Sequence, residues 1–440
     1  MSLIREFAKI ISLSQRQYQN AKAKPLILSE EIGGASNQEG KKNLLCLGDN
    51  KTVMKSLLTD YDMAGKLKLI YLDPPFFSKA DYDAVVKAGE ENIRHKAYGD
   101  KWEKGLSEYL KMLTVRLYLM KDLLADDGLI WLHLDWHVVH YAKVIMDEVF
   151  GEKNFVNEII WNYKSGGTSK RHFSRKHDTI LVYSKTGKYK FYPLQEKSYN
   201  RQYKPYRFKG VKEYKDDLGW YTMVNMKDVW SIDMVGRTSS ERTGYATQKP
   251  EQLMERIIES CTAEGDLCAD FFCGSGTLPA VADRMGRAFI ACDLGALAVE
   301  STISRLAKQK ASFRVYGLTP QQKSTIHVQV EWTIEEITGS EKKLIRLCLM
   351  SLKERSLGKL VEDKAKETVK RVMKEDSLQM VAGWSVDFHY KDGVHRPDMI
   401  FVRNKAELET VCEHIITGEN SICIKITDVF GNTVFERIDL

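Results

Sequence analysis

Several features are missing from this sequence, and each absence argues against a class of protein. No apolar run in its 440 residues approaches the ~18 residues of a membrane-spanning helix, so we expect no membrane span. Residues 1–20 are charged and interrupted by polar side chains, which is not the pattern of a secretory signal. The eight cysteines form no C-x-x-C pair, which favours reduced thiols in a cytosolic protein over a disulfide framework or a zinc site. We assign no metal.

Acidic residues are scarce in one segment of the chain. Between positions 158 and 215, fifteen Lys or Arg residues stand against four Asp or Glu residues, an excess of eleven positive charges. The net charge of the whole chain is only +6, so the remainder is slightly acidic. This unevenness is typical of a polyanion-binding segment on a nearly neutral enzyme, although a solvated basic surface would have the same composition.

The length of the chain allows two or three domains, and strand and helix patterns alternate in its first half. Residues 1–42 are polar and predict a helical arm followed by a loose connection. Short apolar runs at 67–72 and 129–134 predict buried strands, and apolar residues at helical spacing predict a helix over 106–124. This alternation predicts a parallel sheet covered by helices.

The pattern becomes irregular after position 157 and then resumes. Positions 158–246 contain short strand patterns, many aromatic residues and the excess of basic residues. Pro250 is expected to be the first residue of a helix, followed by a strand at 266–271, a helix at 277–285 and a strand at 288–293. The predicted buried side of the first of these helices contains Leu253, Ile257, Ile258 and Cys261.

A change of composition beyond position 312 indicates a separate C-terminal domain. A Lys/Glu-rich helix is predicted over 341–375, with strands near Trp384 and at 422–429. The segment 317–324 lacks the second glycine of a phosphate loop, and Pro397-Asp398 is not followed by Glu-x-Lys, so neither a motor nor a nuclease site is predicted.

The motif Asp73-Pro74-Pro75-Phe76 follows a predicted strand, at the end of a sheet where ligands usually bind. A base amine is a poor nucleophile because its lone pair is delocalised, and acceptors that take its hydrogens localise that pair. Asp73 and the Pro74 carbonyl supply such acceptors, and Pro75 has no N–H to compete with the amine. Phe76 offers a flat face for a flipped base. A strand-ending turn is the alternative interpretation.

A second motif, Asp270-Phe271-Phe272-Cys273-Gly274-Ser275-Gly276-Thr277, joins a predicted strand to a predicted helix. Glycines let the backbone turn sharply and approach a ligand, and a helix N-terminus attracts a carboxylate. Asp293 ends the next strand, 17 residues beyond the second glycine. Nucleotide-binding folds place a ribose-binding acid roughly 20 residues after their glycines. The succession predicts a nucleotide-like cofactor, and a tight turn without a ligand is the alternative.

In this order the two motifs resemble those of DNA amino-methyltransferases that use S-adenosylmethionine. In their β-type arrangement the D-P-P-[YFW] motif precedes F-x-G-x-G. The resemblance covers roughly 43–307 and also rests on 46–50, Trp102, 109–116, 133–135, 177–181 and 247–251. It implies an α/β, Rossmann-like methyltransferase fold with a mainly parallel seven-stranded sheet, permuted motif order, an inserted target-recognition segment and a small α+β C-terminal domain. The implied parts are an arm (1–42), a catalytic half (43–157), a recognition segment (158–246), a cofactor half (247–312) and an accessory domain (313–440).

The resemblance also implies roles for single residues. The implied catalytic residues are Asp73, Pro74, Pro75 and Phe76, with Asp73 and the Pro74 carbonyl holding the amine. The implied cofactor-binding residues are Asp49, Gln248, Lys249, Pro250, Asp270, Phe272, Cys273, Gly274, Ser275, Gly276, Thr277 and Asp293. The predicted DNA-contacting cluster is Lys164, Lys170, Arg171, Arg175 and Lys176. Core and strand-end packing is predicted for Trp131, His133, His137 and His140.

The predicted function is site-specific methylation of adenine N6 in double-stranded DNA, in a modification subunit of a restriction–modification or related system. Cytosine-N4 members of the family more often carry serine in place of Asp73, so cytosine N4 is an alternative, as is a non-catalytic DNA-specificity subunit. No proline precedes a cysteine, which disfavours cytosine-C5 chemistry. A homodimer and a separate restriction subunit are compatible with the resemblance. The sequence departs from the family at Phe76, where tyrosine is more usual, and at Phe271, where proline often stands.

Overall fold

A computed structural model describes residues 3–34, 43–103, 105–236, 238–245, 247–319, 326–354, 363–404, 407–418 and 421–440. The helices are α1 Leu3–Gln19, α2 Asn50–Asp60, α3 Leu106–Leu123, α4 Val139–Phe150, α5 Glu251–Cys261, α6 Thr277–Arg284, α7 Ala296–Lys308 and α8 Asp363–Glu375. The first twelve strands are β1 Ile27–Ile32, β2 Leu44–Leu47, β3 Leu67–Leu72, β4 Asp81–Ala88, β5 Glu91–Gly99, β6 Leu124–Leu134, β7 Phe155–Asn162, β8 His177–Ser184, β9 Gln195–Tyr199, β10 Glu213–Lys215, β11 Trp220–Asn225 and β12 Val229–Ser231. The others are β13 Leu267–Asp270, β14 Ala288–Asp293, β15 Phe313–Gly317, β16 Ile326–Glu336, β17 Lys342–Glu354, β18 Val381–Asp387, β19 Met399–Val402, β20 Val411–Thr417, β21 Ser421–Asp428 and β22 Thr433–Asp439.

Ten strands form the main sheet, in the order β1-β15-β2-β14-β13-β3-β6-β8-β7-β12. The seven strands from β2 to β7 in this order are parallel except β8, which runs antiparallel to both of its neighbours. The predicted Rossmann-like, mainly parallel sheet is therefore confirmed, within a wider sheet than expected. The extra strands are β15 and β1 at one edge and β12 at the other, where they cover backbone groups that would otherwise be unpaired.

Helices cover both faces of this sheet because the buried strands carry apolar side chains on both sides. In β3, Ile70 and Leu72 belong to a core shared with α1–α4, whereas Leu69 and Tyr71 belong to a core shared with α5–α7. All four side chains are almost completely buried. Burial of one such aliphatic side chain stabilises the fold by about 1.5–3 kcal/mol. No helix in the described ranges is long and apolar enough to cross a bilayer.

Helix α5 differs slightly from the sequence prediction at its start. Pro250 is the N-cap and the helix begins at Glu251, because the ψ of Pro250 is 142°, an extended value. The predicted apolar side is confirmed, since its four residues are all buried: Leu253, Ile257, Ile258 and Cys261. All eight cysteines of the chain lie within the described ranges, and each has a free thiol.

The segment 158–246 is divided between the main sheet and a small sheet of its own. Position 158 falls inside β7, and β8 pairs along its length with both β6 and β7. Their side chains, such as Trp161 and Ile180, are core residues. Only β9, β11 and β10 form a separate three-stranded antiparallel sheet. The predicted boundary at 158 therefore falls inside a strand of the main sheet.

An antiparallel hairpin of β4 and β5 follows the Asp73–Phe76 motif and was not predicted. Its far end is embedded in the C-terminal domain, where Ala88 and Ile93 are buried core residues. The middle of β4 contacts the segment before α5, where the Val85 N–H donates to the Gly244 carbonyl at 3.2 Å. The hairpin thus connects the C-terminal domain to the segment before α5.

The C-terminal domain contains two antiparallel sheets, β16-β17-β20 and β19-β18-β21-β22, and helix α8. The prediction of one helix over 341–375 is wrong, because residues 342–354 form β17 between β16 and β20. Alternate apolar residues Ile345, Leu347 and Leu349 are buried on one face of β17, a strand period that the Lys/Glu content obscured. Residues 355–362 lie outside the described ranges, as do residues 320–324 of the segment 317–324.

The N-terminal arm and the C-terminal domain are tied to the main sheet by buried charges. Residues 27–32 form strand β1 rather than a loose connection, because they pair with β15. Lys425 donates to Glu30 at 2.7 Å and to Glu300 at 3.0 Å. The predicted connection at 35–42 lies outside the described ranges.

Candidate active site

The two motifs meet at the carboxyl ends of two central strands of the main sheet. Strands β3 and β13 are adjacent and parallel, with Tyr71 opposite Asp270. Their carboxyl ends therefore lie side by side, so Asp73 lines the same cavity, of about 470 Å³, as Gly274 and Ser275 of the glycine turn. This volume is in the usual range for a small-molecule site.

Most of the predicted catalytic and cofactor residues line this cavity. Those that do are Asp49, Asp73, Pro75, Gln248, Lys249, Asp270, Phe272, Cys273, Gly274, Ser275, Thr277 and Asp293. Within the described part of the chain, the predicted residues outside its lining are Pro74, Phe76, Pro250 and Gly276. Pro250 lines a neighbouring cavity instead, because as the N-cap of α5 it lies beyond the turn that carries Lys249.

The glycine turn between β13 and α6 requires glycine at both positions. Gly274 and Gly276 have φ values of +50° and +70°, which side chains rarely adopt. A Cβ on Gly276 would lie 2.6 Å from Thr302 Cγ2, and one on Gly274 would lie 3.2 Å from the Tyr245 ring. The turn is fixed by Thr302, whose hydroxyl donates to the Gly274 carbonyl at 3.1 Å.

Two acidic side chains lie at the ends of neighbouring strands beside this turn. Asp293 accepts the Gly274 N–H and the Gly295 N–H, both at 2.9 Å, and burial raises its pKa. Asp270 is 4% exposed and accepts the Phe272 N–H at 2.9 Å. Burial, together with the nearby negative charges of Asp73 and Asp293, holds the pKa of Asp270 well above its ordinary value. The pocket therefore favours a ligand that brings positive charge or hydrogen-bond donors.

A hydrogen-bonded group at the start of α2 closes the other side of the cavity. Arg116 donates to Asp49 at 2.8 Å and to Asn50 at 2.6 Å. Asn50 in turn donates to the Phe271 carbonyl at 2.6 Å, which ties α2 to the end of β13. Asp49 also caps α2 by accepting the Thr52 N–H. The Asp49 carboxylate is thus held in place at the cavity wall.

Asp73 has two oxygens in different environments. The Lys249 ammonium forms an ion pair with Oδ2. Oδ1 is buried and has no hydrogen-bond partner among the described residues; His133 Nδ1 lies 3.9 Å away. The Lys249 ammonium also lies 5.3 Å from the centroid of the Phe76 ring. Gln248 holds this segment, since its side chain bonds to the Thr243 N–H at 2.8 Å and to the Glu241 carbonyl.

His133 belongs to a buried hydrogen-bonded chain beneath Asp73, in addition to its predicted packing role. The Tyr71 hydroxyl lies 2.7 Å from His133 Nδ1, and Asp178 lies 3.2 Å from Nε2. Burial raises the pKa of Tyr71 well above its ordinary value, which keeps its hydroxyl protonated. Burial opposes ionisation of Asp178, but hydrogen bonds from His133 and Tyr163 lower its pKa.

The other residues predicted to pack behave differently from one another. Trp131 is a buried core residue, as predicted. His137 lies at the strand end and bonds to Asp135 at 2.6 Å, whereas His140 is exposed on α4. Tyr98, Trp102 and Tyr245 complete the cavity wall. Tyr98 could not be assigned from the sequence, because it reaches the cavity through the unpredicted hairpin.

The predicted DNA-contacting cluster lies in the loop between β7 and β8. Strand β7 is parallel to β3. This loop therefore leaves the sheet at the carboxyl end of β7, on the same side of the sheet as Asp73. Lys170 and Arg171 are exposed, and Phe173 between them and β8 is 98% exposed. Arg175 stacks on Trp136 at 3.9 Å. The remaining two members have partners nearby: Lys164 lies 3.9 Å from Asp233, and Lys176 donates to the carbonyls of Ser165 and Gly166.

Comparisons with known proteins show the family to which this chain is similar. A family model described as DNA methylase matches residues 67–304, more than half of the chain. The type II methyltransferase M.EcaI of Enterobacter cloacae is 27% identical over 343 residues, 64% of this chain and 73% of that protein. The Mod subunit of the type III restriction-modification enzyme EcoP15I of Escherichia coli is 32% identical over 179 residues, 37% of this chain and 27% of that protein. The M1.HpyAVI–SAM complex superposes with a TM-score of 0.39 and 17% identity, over 60% of this chain and 98% of that one.

Proposed function

Because this chain belongs to the DNA methylase family, we propose that it transfers a methyl group from S-adenosylmethionine to adenine N6 in double-stranded DNA. The observation that carries the proposal is the position of Asp73 on the wall of the same cavity as the glycine turn. An acceptor for the target amine and a pocket for the methyl donor must share one space, since methyl transfer requires direct contact between the two reactants.

The residues of the cavity fit S-adenosylmethionine. When bound, this cofactor supplies a methyl group on a positively charged sulfur. The buried carboxyl group of Asp270 suits a cationic neighbour, and the Asp293 carboxylate is the proposed acceptor of the ribose hydroxyls. The glycine turn leads into the N-terminus of α6, which would attract the cofactor carboxylate. Asp49, fixed by Arg116, completes the wall.

Asp73 and the Pro74 carbonyl are the proposed acceptors for the amine hydrogens. Acceptance of those hydrogens turns the nitrogen lone pair toward the methyl donor and stabilises the positive charge that develops on nitrogen. Asp73 follows β3 directly, so a rigid strand fixes its position. The base reaches it only after leaving the duplex, and Phe76 offers the flat surface on which the base would stack.

The loop that carries the predicted DNA-contacting cluster is the proposed first DNA contact. Lys170 and Arg171 are exposed in the loop that follows β7, on the same side of the sheet as Asp73, where they can neutralise phosphates. Phe173 is 98% exposed on the same loop, which suits an apolar contact with DNA. The target sequence depends on side chains that read base edges, and the loop composition does not define it.

Adenine is proposed over cytosine because position 73 carries a carboxylate, whereas the cytosine-N4 members that this chain resembles more often carry serine. The name of the Mod subunit relative supports a place in a restriction–modification system with a separate restriction partner. A homodimer is proposed from the resemblance alone.

Analysis of the modified nucleoside tests this function. The protein is incubated with plasmid DNA and methyl-labelled S-adenosylmethionine, and the digested DNA is separated into nucleosides. We expect the label in N6-methyldeoxyadenosine, and mapping of the label on restriction fragments of undigested plasmid should place it at one sequence context. Label in N4-methyldeoxycytidine would support the alternative target, and binding of the cofactor without any transfer would refute the enzymatic proposal.

A further inference from the structure

The Lys249 side chain contacts two groups that, in the proposed function, bind the target base. Its ammonium forms an ion pair with Asp73 Oδ2, the proposed acceptor for the amine hydrogens. The same ammonium lies 5.3 Å from the centroid of Phe76, the ring proposed to stack on the base. A protonated amine at this position therefore has the contacts expected of the base and its amine.

The rest of the Asp73 carboxylate offers no alternative acceptor. Oδ1 is buried without a hydrogen-bond partner among the described residues, so a base in the cavity cannot reach it as the side chains now stand. The nearest imidazole nitrogen, His133 Nδ1, is 3.9 Å from Oδ1 and is bonded to the Tyr71 hydroxyl. Oδ2 is therefore the oxygen that a base in the cavity could reach, and the Lys249 ammonium is paired with it.

We propose that Lys249 is an internal substitute for the target amine, which holds Asp73 in the free enzyme and is displaced when the flipped base enters. This inference rests on the proposed function and reassigns Lys249 from the cofactor to the base. It makes Lys249 a positioning residue, because it fixes the carboxylate in the free enzyme and its departure accompanies entry of the base.

The backbone around Lys249 is fixed, so displacement requires only its side chain to move. The Thr277 hydroxyl donates to the Lys249 carbonyl at 3.2 Å. Pro250 follows as the N-cap of α5. Thr247, two residues earlier, has a φ of +56°, a strained value for a β-branched residue and one often found at functional sites. The long side chain of lysine can rotate away while this turn stays in place.

Replacement of Lys249 by methionine should strengthen DNA binding, which is the opposite of the usual effect of removing a lysine near DNA. Removal of a lysine that contacts DNA weakens binding. Removal of a lysine that competes with the base strengthens binding of target DNA, because the base no longer displaces a charge-assisted hydrogen bond. Such a bond corresponds to roughly tenfold or more in affinity.

The test compares Lys249→Met, Lys249→Arg and the wild type on a duplex that contains the target sequence mapped on restriction fragments, and on the same duplex with the target adenine replaced by thymine. Lys68→Met is the matched control, since Lys68 pairs with Asp127 in a partly buried ion pair outside the cavity lining. We expect Lys249→Met to bind the target duplex about tenfold more tightly, with the thymine duplex unchanged. Lys249→Arg and Lys68→Met should match the wild type.

Unchanged or weaker binding of the target duplex by Lys249→Met would overturn the inference. If that variant does not bind S-adenosylmethionine, Lys249→Gln takes its place, because it keeps a polar side chain without the positive charge. Failure of the inference is distinguishable from failure of the proposed function. A wild type that methylates no base refutes the function, whereas an active wild type with no tightening in the charge-neutral variants refutes only the role of Lys249.

Discussion

The ammonium of Lys249 forms an ion pair with the carboxylate of Asp73, a residue 176 positions earlier in the chain. Asp73 directly follows β3, whereas Lys249 precedes Pro250, the N-cap of α5, so the pair joins the end of β3 to the start of α5. In the proposed reaction this carboxylate is the group that binds the target amine. Its chemistry can therefore be separated experimentally from that of the cofactor pocket.

Replacement of Asp73 by asparagine should nearly abolish methyl transfer while S-adenosylmethionine still binds. The amide keeps the shape of the side chain but introduces a donor that competes with the amine. Loss of one preorganised electrostatic contact typically lowers the rate by about 10²–10³-fold. Labelled methyl transfer and equilibrium dialysis with the cofactor measure the two effects. Asp127→Asn, outside the cavity lining, is the control, and transfer at the wild-type rate by Asp73→Asn would contradict the assignment.

Replacement of Asp270 by asparagine should stabilise the free protein and weaken cofactor binding. The folded-state pKa of Asp270 is raised, mainly by burial, so the folded state binds its proton more tightly than the unfolded state. Its contribution therefore favours folding at acid pH and is lost as the pH rises above the ordinary value of 3.8 toward the raised one. A pKa that is higher by one in the folded state than in the unfolded state corresponds to about 1.4 kcal/mol in the free energy of unfolding.

Urea unfolding of Asp270→Asn and the wild type at pH 5 and pH 8 checks this expectation. The variant should be more stable than the wild type at pH 8, by a larger margin than at pH 5. Asp266→Asn, immediately before β13, is the matched control. An equal difference in stability at both pH values would argue against a buried proton on Asp270.

Replacement of both Lys170 and Arg171 by alanine should weaken DNA binding and reduce its salt dependence. Each phosphate contact contributes about 0.9 to the slope of log affinity against log salt concentration, so the slope should fall by about 1–2. Lys9→Ala with Lys66→Ala is the control, because both side chains are exposed and Lys66 precedes β3, at the opposite end of that strand from Asp73. An unchanged salt slope in the Lys170/Arg171 variant would remove this loop from the DNA contact surface.

The sequence predicts the parts of the fold that depend on local patterns. The apolar run before Asp73 and the strand–turn–helix at Gly274 are visible because burial on both faces and positive φ values restrict the residues allowed there. The same restriction explains why the cavity contains most of the predicted cofactor residues. These features are determined by residues that are close together in the sequence.

The parts that could not be predicted depend on long-range contacts. Residues 342–354 are rich in helix-forming residues, and only their pairing with β16 and β20 makes them a strand. The hairpin at 81–99 is stabilised partly by the C-terminal domain, in whose core Ile93 is buried. His133 reaches Asp73 because β3 and β6 are neighbours, which no spacing in the chain reveals. Position 158 marks a change in charge, not the end of a strand.

A structure of the protein with the target duplex and the product S-adenosylhomocysteine would test the central proposal most directly. The measured quantities are the distances from the target amine nitrogen to Asp73, to the Pro74 carbonyl oxygen and to the cofactor sulfur. We expect a flipped adenine whose amine lies within hydrogen-bond distance of both oxygens and points toward the sulfur. An adenine that remains stacked in the duplex at an otherwise complete interface, or an amine bound away from Asp73, would contradict the proposed mechanism.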